Sequence, residues 1–351
     1  MKINKLIISA VGPLQRQVID FTDAWSGEVA KYVLLTGPNG CGKSTVLRVV
    51  ANLWEALGHW LDYRKELPRT AGPREWLQRW DGCAVILSGL PFVPGELGLM
   101  FGETDWCQRL QQEYPQVSWI GESVSRTGKP GAPRRNLYLQ GEKWLSEFAL
   151  ARRKLILSFE KTQIPNIIYL DAEERRWINP KRSVGAFVAD DSAARWLARY
   201  QATDEWKGQL EASLIAMKTT QPRAFVDVVR RLNTFLMGKE IDAEMRPGEN
   251  RLRVKLAGQS GIKHSLDDLS AGEHQALILI YFVTRWAEAG CVVLVDEPDL
   301  HLHPSLVNNI MSTLENIVTD KGGQLVTTSH QPEIWARYEA TGKRVELRGT
   351  P

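Results

Sequence analysis

Two segments far apart in the chain carry residues whose types and spacing suit nucleotide chemistry. The first runs from Gly37 to Ser44 with the spacing G-x-x-x-x-G-K-[ST], in which glycines let backbone N–H groups surround a phosphate and a lysine adds positive charge. The second is the apolar stretch 291–295, which ends at Asp296 and Glu297. A phosphate-binding loop and a pair of carboxylates together predict a site that binds and hydrolyses a nucleotide.

The glycine loop has the flanking elements that a phosphate site requires. Residues 32–35 form a continuous apolar run typical of a buried parallel strand, and a helix is expected from Lys43 to about Glu66. Lys43 would neutralise the β- and γ-phosphates of ATP, and the Ser44 hydroxyl would bind Mg²⁺. The residues predicted to contact the nucleotide are Gly37, Pro38, Asn39, Gly40, Cys41, Gly42, Lys43, Ser44 and Thr45.

The two carboxylates follow a stretch that favours a strand buried on both faces. They would emerge at the carboxyl end of that strand, where open α/β sheets bind ligands. We expect Asp296 to hold Mg²⁺ and Glu297 to act as the general base that polarises the attacking water.

A third segment, Leu-Ser-Ala-Gly-Glu-His-Gln at 269–275, precedes a strongly apolar helix. Ser270 is expected to cap that helix, and Gly272 would let another group approach the backbone. A helix start with a free hydroxyl and exposed N–H groups is an anion site. The simpler alternative is that Ser270 is a helix cap and nothing more.

Four motifs in this order resemble those of ABC-type ATPases. Segment 269–275 is similar to the signature sequence LSGGQ, although Ala271 stands where its first glycine is usual. Segment 296–304 resembles a Walker B motif followed by its D-loop. Segment 327–332 resembles the strand end that carries the switch histidine, and segment 169–175 resembles a stretch often seen in the same group. The chain thus resembles the AAA group that contains OLD-family, RecF-like and PtuA-type ATPases, more closely at its two ends than in the middle.

The resemblance implies an α/β fold of the P-loop NTPase type. It would be an ABC-type ATPase head with a mixed or parallel central sheet and a helical signature subdomain. ATP and Mg²⁺ would be the cofactors, the reaction would convert ATP and water to ADP and phosphate, and His330 would contact the γ-phosphate. The glycine loop and Glu297 of one protomer would face the signature residues of a second protomer, which are Ser270, Ala271, Gly272 and Glu273.

The expected organisation is one ATPase domain over residues 1–351. Residues 1–184 would form the first part of the nucleotide-binding lobe, with a basic loop at 120–136. Residues 185–290 would form the helical signature lobe, with 191–237 helical. Residues 291–351 would complete the nucleotide-binding lobe with the Walker B, D-loop and switch-histidine segments.

Sequence length and spacing argue against three related classes of protein. Lys43 and Ser270 are 227 positions apart, which is more than a transporter's nucleotide-binding subunit needs, and 191–237 is too short for SMC-like arms. The 21 residues after His330 leave no room for a Toprim nuclease domain. These exclusions leave a stand-alone ATPase. The resemblance implies that it dimerises head to tail and regulates a separately encoded effector, such as a nuclease, in bacterial anti-phage defence. The alternative is a RecF- or SMC-like DNA-repair ATPase that binds DNA directly.

One stretch is strongly basic although the whole chain carries a formal charge of only +3. Residues 123–182 contain 13 Lys and Arg against 6 Asp and Glu. This excess favours either a solvated rim near the phosphates or a nucleic-acid surface, and the sequence leaves both open.

Other residues restrict the cellular setting and leave two roles open. Four cysteines without a CxxC pair, and no apolar run of membrane-spanning length, predict a cytoplasmic protein with reduced thiols and no membrane contact. His301 and His303 suit either the D-loop or a metal site. Gln140 and Gln163 are both candidates for a Q-loop residue.

Overall fold

The computed structural model describes residues 1–125, 134–158, 162–178, 192–202, 210–244, 251–258 and 263–348. Within these ranges the helices are α1 (Lys43–Tyr63), α2 (Gly72–Leu77), α3 (Thr104–Glu113), α4 (Glu142–Leu157), α5 (Leu210–Thr220), α6 (Pro222–Asn233), α7 (Ala271–Trp286), α8 (Pro304–Asp320) and α9 (Pro332–Thr341). The strands are β1 (Lys2–Ala10), β2 (Gln17–Asp20), β3 (Tyr32–Thr36), β4 (Gly82–Ser88), β5 (Leu97–Glu103), β6 (Ser118–Ser125), β7 (Arg134–Leu139), β8 (Ile167–Leu170), β9 (Leu197–Arg199), β10 (Lys239–Asp242), β11 (Arg253–Leu256), β12 (Lys263–Ser265), β13 (Val292–Val295), β14 (Gln324–Thr328) and β15 (Lys343–Glu346).

One sheet is parallel throughout its described strands and carries the motif strands. Its order is β15-β3-β14-β13-β8-β9. The register pairs Leu35 of β3 with Thr328 of β14, and Val295 of β13 with Thr327. Because the strands are parallel, their carboxyl ends meet at one edge of the sheet. The predicted α/β fold with a parallel central sheet is confirmed.

The side chains of this sheet alternate between two hydrophobic cores. Val33 and Leu35 lie in the first core, whereas Leu34 between them lies in the second, and β13 alternates in the same way. A strand buried on both faces needs an unbroken apolar run. The runs at 32–35 and 291–295 meet this requirement.

Helix α1 lies between the parallel sheet and a second sheet. The order of the second sheet is β2-β1-β4-β5-β6-β7, in which only the pair β5–β6 is parallel. The helix contacts strands of both sheets, and Leu47, Leu53, Trp54 and Trp60 are fully buried. Burial around most of its circumference holds the start of α1 in place, directly after the glycine loop.

Helices α5 to α9 contribute the second core, on the opposite face of the parallel sheet. In α7 every residue of 276–280 has no exposed surface. The deep burial of α7 fixes where its first turn, with the predicted signature residues, lies.

The stretch 191–237 differs from the predicted helix. A 3₁₀ turn at Ser192–Arg195 leads into β9, which pairs with β8, so the helical spacing of Trp196 and Tyr200 is overridden by strand pairing. Residues 203–209 lie outside the described ranges, and two separate helices follow. Pro222 is the first residue of α6, where its missing N–H is tolerated, and it cannot continue α5.

Two further segments hold more strands than the sequence pattern predicts. The apolar positions of residues 1–36 predict two strands, and the structure has three there. In the predicted helical lobe at 185–290, the alternation at 252–256 predicts one short strand, and the structure has the antiparallel sheet β10-β11-β12. Short strands of this kind depend on pairing between segments, which local periodicity does not show.

The helices that the structure describes lack the combination of length and apolar character needed to cross a bilayer. The four cysteines are all free and buried. Burial raises the pKa of Cys107 to about 12, so that this thiol stays protonated near neutral pH.

Candidate nucleotide-binding site

The glycine loop between β3 and α1 has backbone angles that favour glycine. Gly37, Gly40 and Gly42 have φ values of 141°, 77° and 100°. A Cβ atom at Gly37 would lie 2.5 Å from the carbonyl oxygen of Leu347, and one at Gly42 would lie 2.6 Å from Cδ2 of Leu14. Both positions therefore exclude a larger residue, which explains the glycine spacing physically.

Lys43 points back into this loop. Its ammonium donates hydrogen bonds to the carbonyl oxygens of Gly37 at 3.0 Å and Pro38 at 3.1 Å, and the residue is 6% exposed. Both acceptors are neutral, so these bonds do not neutralise the charge. Ser44 and Thr45 follow in the first turn of α1, both half-buried. A desolvated cation at a helix start favours phosphate oxygens.

A threonine holds the two carboxylate residues at the end of β13. Asp296 is 3% exposed and accepts a hydrogen bond from Thr328 Oγ1 at 2.7 Å. The same oxygen accepts from the backbone N–H of Glu297 at 2.8 Å. Thr328 is the last residue of β14, so one hydroxyl orients both residues. Thr328 lies in the predicted switch-histidine segment, but its sequence context does not indicate this role.

Glu297 and His330 lie next to each other at the same sheet edge. Glu297 Oε1 is 3.6 Å from His330 Nε2, and both side chains are about one-third exposed, at 33% and 39%. Glu297 has a φ of 45°, an uncommon value for a residue with a side chain. The structure thus brings together the predicted base and the predicted switch histidine.

The donors predicted for Mg²⁺ are chemically suitable. Asp296 offers a carboxylate, and Ser44 offers a hydroxyl at the start of α1. Mg²⁺ prefers oxygen ligands and usually takes few from the protein, with water and phosphate oxygens completing its shell. The fit rests on the chemistry of these two donors.

The first turn of α7 contains a reciprocal capping arrangement. Ser270 Oγ accepts from the N–H of Glu273 at 3.3 Å, while Ser270 N and Oγ donate to Glu273 Oε2 at 2.8 and 2.9 Å. Lys239 Nζ donates to the same Oε2 at 2.8 Å. Burial would raise the pKa of Glu273, but hydrogen bonds from Lys239 and Ser270 outweigh it and lower that pKa.

This arrangement separates the four predicted signature residues. Ser270 and Ala271 are exposed, whereas Glu273 is buried, and its N–H and carboxylate serve the cap. Both polar groups of Glu273 are thus used in capping, and its contact with a nucleotide stays a prediction. Ser270 and Ala271 stay accessible to a partner.

Gly272 is approached closely by the backbone of the same chain. A Cβ atom there would lie 2.9 Å from the carbonyl oxygen of His301. The close approach expected of Gly272 therefore comes from the turn after β13, so the predicted signature and D-loop segments contact each other.

The two histidines of that turn do not share a strand. His301 is exposed with a φ of 63°, and His303 caps α8 by accepting from Ser305 N at 3.3 Å. Among the described residues, no group of three or more His, Cys, Asp and Glu side chains is placed to hold a metal ion. The geometry favours the D-loop alternative.

Neither glutamine candidate lies at the carboxyl edge of the parallel sheet. Gln140 follows β7 of the second sheet and accepts from Trp119 N at 2.8 Å. Gln163 is exposed and precedes β8, at its amino end. The carboxyl end of β8, beside β13, carries Asp171, which accepts from Arg48 at 2.9 Å.

Two arginines of the basic stretch are engaged in ion pairs inside the protein. Arg135 pairs with Glu122, which is fully buried, and Arg152 pairs with Asp62. These charges are used within the fold and are not available to a phosphate backbone. Residues 126–133, 159–161 and 179–182 of the stretch lie outside the described ranges.

Arg135→Met is expected to destabilise the fold by about 2 kcal/mol, the scale of a hydrogen bond to a charged group. Glu122 would keep its bonds from Trp60 Nε1 and Leu67 N, at 2.7 and 2.6 Å, but lose its counter-charge. Denaturant unfolding measures the change, and Arg134→Met, at an exposed neighbouring position, is the control. Equal stability of the two variants would contradict this interpretation.

Comparison with known proteins finds matches for the part of the chain that carries the predicted signature, the two carboxylates and His330. Residues 230–336 match the family described as "AAA domain, putative AbiEii toxin, Type IV TA system". A second match is the retron Ec83 probable ATPase of Escherichia coli, 32% identical over an alignment of 105 positions that covers 25% of this chain and 19% of that protein. A third is the tylosin resistance ATP-binding protein TlrC of Streptomyces fradiae, 32% identical over 115 residues, which are 31% of this chain and 19% of that protein.

The matched segments span about a fifth of the length of these curated relatives. Among solved structures, an Smc head bound to the C-terminal winged-helix domain of ScpA is similar with a TM-score of 0.49 and 14% identity, over 96% of this chain and 92% of that one. The family match at 230–336 includes Ser270, Asp296, Glu297 and His330, so this part of the chain is similar to an AAA domain.

Proposed function

We propose that this protein binds ATP with Mg²⁺ and hydrolyses it to ADP and phosphate. The observation that carries the proposal is the strand order β3-β14-β13 in a parallel sheet. It places the glycine loop, His330 and the Asp296–Glu297 pair at the ends of three adjacent strands. These groups match the parts that phosphoryl transfer to water requires.

Each group has one task in this proposal. Lys43 neutralises charge on the β- and γ-phosphates, and Asp296 and Ser44 would hold Mg²⁺, which would supply further positive charge there. Glu297 accepts a proton from the attacking water, and His330 donates a hydrogen bond at the γ-phosphate. Thr328 keeps Asp296 and Glu297 oriented through its single hydroxyl.

The active form in this proposal is a head-to-tail dimer. Ser270 and Ala271 are exposed at the start of α7, where backbone N–H groups and the helix dipole favour an anion. They would complete the site of a second protomer by contacting its γ-phosphate. ATP binding would then close the pair and hydrolysis would reopen it.

The biological role that we propose is regulation of a separately encoded effector, such as a nuclease, in bacterial anti-phage defence. Support comes from the motif resemblance to OLD-, RecF- and PtuA-type ATPases and from the similarity to a probable ATPase of a retron. The alternative is direct DNA binding through 123–182, and the ion pairs of Arg135 and Arg152 leave two fewer cations of that stretch for it.

Lys43→Ala is expected to weaken ATP binding by about 2 kcal/mol, which is roughly 30-fold in Kd, because a charge-assisted contact to phosphate is lost. Calorimetry with a slowly hydrolysed ATP analogue measures the change. Lys31→Ala, at an exposed lysine before the amino end of β3, is the control and should bind normally. Equal affinity of wild type and Lys43→Ala would refute the loop assignment.

A further inference from the structure

Arg175 is a buried cation beneath the proposed hydrolytic site. It lies five residues after the end of β8 and is 1% exposed. Its guanidinium donates from Nη1 to the carbonyl oxygen of Asp296 at 2.5 Å and from Nη2 to that of Glu297 at 2.7 Å. Its Nε donates to Gln275 Oε1 at 3.1 Å. One side chain thus connects the turn after β8, the end of β13 and helix α7.

The acceptors of these bonds are neutral, although the group is charged. Burial lowers the pKa of Arg175 to about 10, so the guanidinium stays protonated at neutral pH. The negative charges of four nearby carboxylates raise this pKa and so offset part of the effect of burial: Asp296, Asp171, Glu297 and Asp299. A salt bridge alone would need a single carboxylate partner. The planar fork of guanidinium N–H groups is instead directed at backbone oxygens.

The hydrogen bonds from Arg175 to these two carbonyl oxygens fix the backbone on both sides of Glu297. The carbonyl of Asp296 belongs to the peptide before Glu297, and the carbonyl of Glu297 belongs to the peptide after it. The N–H of Glu297 is bound by Thr328. A φ of 45° is costly for a glutamate and persists where the surroundings enforce it. Arg175 and Thr328 contribute to that enforcement, together with the N–H of Leu300, which donates to the carbonyl of Glu297 at 3.1 Å.

Gln275 extends the network to the proposed signature. It lies on α7, five residues after Ser270, and its side-chain amide is used twice: Oε1 accepts from Arg175, and Nε2 donates to the carbonyl oxygen of Arg175. Gln275 is itself 6% exposed. A displacement of the first turn of α7 would therefore act on Arg175 and, through it, on the backbone of Glu297.

We propose that Arg175 is a positioning residue that holds Glu297 in its reactive orientation and couples that orientation to the position of α7. This inference rests on the proposed function, in which Glu297 is the base and Ser270 contacts the nucleotide of a partner. Closure of two protomers on ATP would press on the first turn of α7. The Gln275–Arg175 connection would then align Glu297 only when the partner is in place.

Arg175→Lys tests the positioning role, since it keeps the charge but cannot bond both carbonyls and Gln275 in one plane. We expect ATP turnover to fall about 10²-fold, the scale of a misplaced catalytic group, with the Kd for an ATP analogue within about threefold of wild type. Arg176→Lys, at the exposed neighbour, should keep wild-type turnover. Wild-type turnover of a folded Arg175→Lys protein would overturn the proposal, as would a parallel loss of ATP affinity.

Gln275→Met tests the coupling and serves if Arg175→Lys does not fold. It leaves the bonds from Arg175 to the two carbonyls intact and removes only the connection to α7. Turnover should fall at unchanged ATP affinity, and unchanged turnover would overturn the coupling. A double-mutant cycle adds a readout that a general loss of stability would not produce: in a Glu297→Gln background, Arg175→Lys should cause no further loss of turnover.

The same cycle separates the inference from the proposed function. If Glu297→Gln alone hydrolyses ATP at the wild-type rate, Glu297 is not the base and both proposals fail. If Glu297→Gln is inactive while Arg175→Lys and Gln275→Met are fully active, only the role of Arg175 is wrong. An additive further loss in the double variant would likewise contradict positioning through Glu297.

Discussion

Glu297→Gln should lower ATP turnover by about 10²-fold or more and leave ATP binding intact, since general base catalysis contributes on this scale. The amide keeps the size and shape of the carboxylate but cannot take a proton from water. The backbone bonds of Glu297 to Thr328 and Arg175 do not involve the side chain, so its placement should survive. The variant should therefore accumulate the ATP-bound dimer.

Steady-state phosphate release measures turnover, and light scattering with ATP detects the dimer. Glu333→Gln provides a matched control, because Glu333 is an exposed carboxylate three residues after His330. It should hydrolyse ATP normally. If Glu297→Gln retained the wild-type rate, the assignment of the base would be lost.

Ser270→Arg should abolish the hydrolysis that depends on dimerisation while each protomer stays folded and still binds ATP. Losing the cap of α7 costs about 1 kcal/mol, too little to unfold a domain of this size. The exposed position of Ser270 means that the added bulk and charge meet the partner and not the core of the same chain. Closure of the two protomers would be blocked.

The measurement is ATPase rate per protomer against protein concentration. In a composite site the wild-type rate rises with concentration, and Ser270→Arg removes this rise. Ser265→Arg is the matched control, because Ser265 forms the same kind of capping box with Asp268 five residues earlier. A wild-type rate that is independent of concentration in a monomeric sample, and insensitive to Ser270→Arg, would exclude the composite site.

Mixing two inactive variants gives a second test of the same dimer. Ser270→Arg contributes an intact glycine loop, and Lys43→Ala contributes an intact signature. A mixed dimer can rebuild at most one of its two composite sites, so activity should recover in part. No recovery on mixing would contradict the composite site, because sites that lie within one protomer cannot be rebuilt from two defective chains.

The glycine loop could be predicted from the sequence because consecutive residues build it. The spacing of the glycines, Lys43 and the start of α1 lies in residues that are neighbours in the chain, whereas the contacts of Gly37 with Leu347 and of Gly42 with Leu14 do not. The capping role of Ser270 was predictable for the same reason, since the cap joins positions three apart. The apolar runs before the loop and before Asp296 likewise indicated two strands buried on both faces.

Only the tertiary structure decided which side chains bind and orient the site residues that the sequence predicts. Thr328 binds Asp296 across 32 positions, and Arg175 binds the carbonyl of Asp296 across 121. Strand order and register bring such pairs together, and no local pattern encodes them. Pairing with β8 also makes residues 197–199 a strand, although the spacing of apolar residues near Trp196 predicts a helix. Arg135 forms an ion pair with Glu122, because a buried carboxylate needs a positively charged partner. The role of the basic stretch could therefore not be interpreted from charge counts alone.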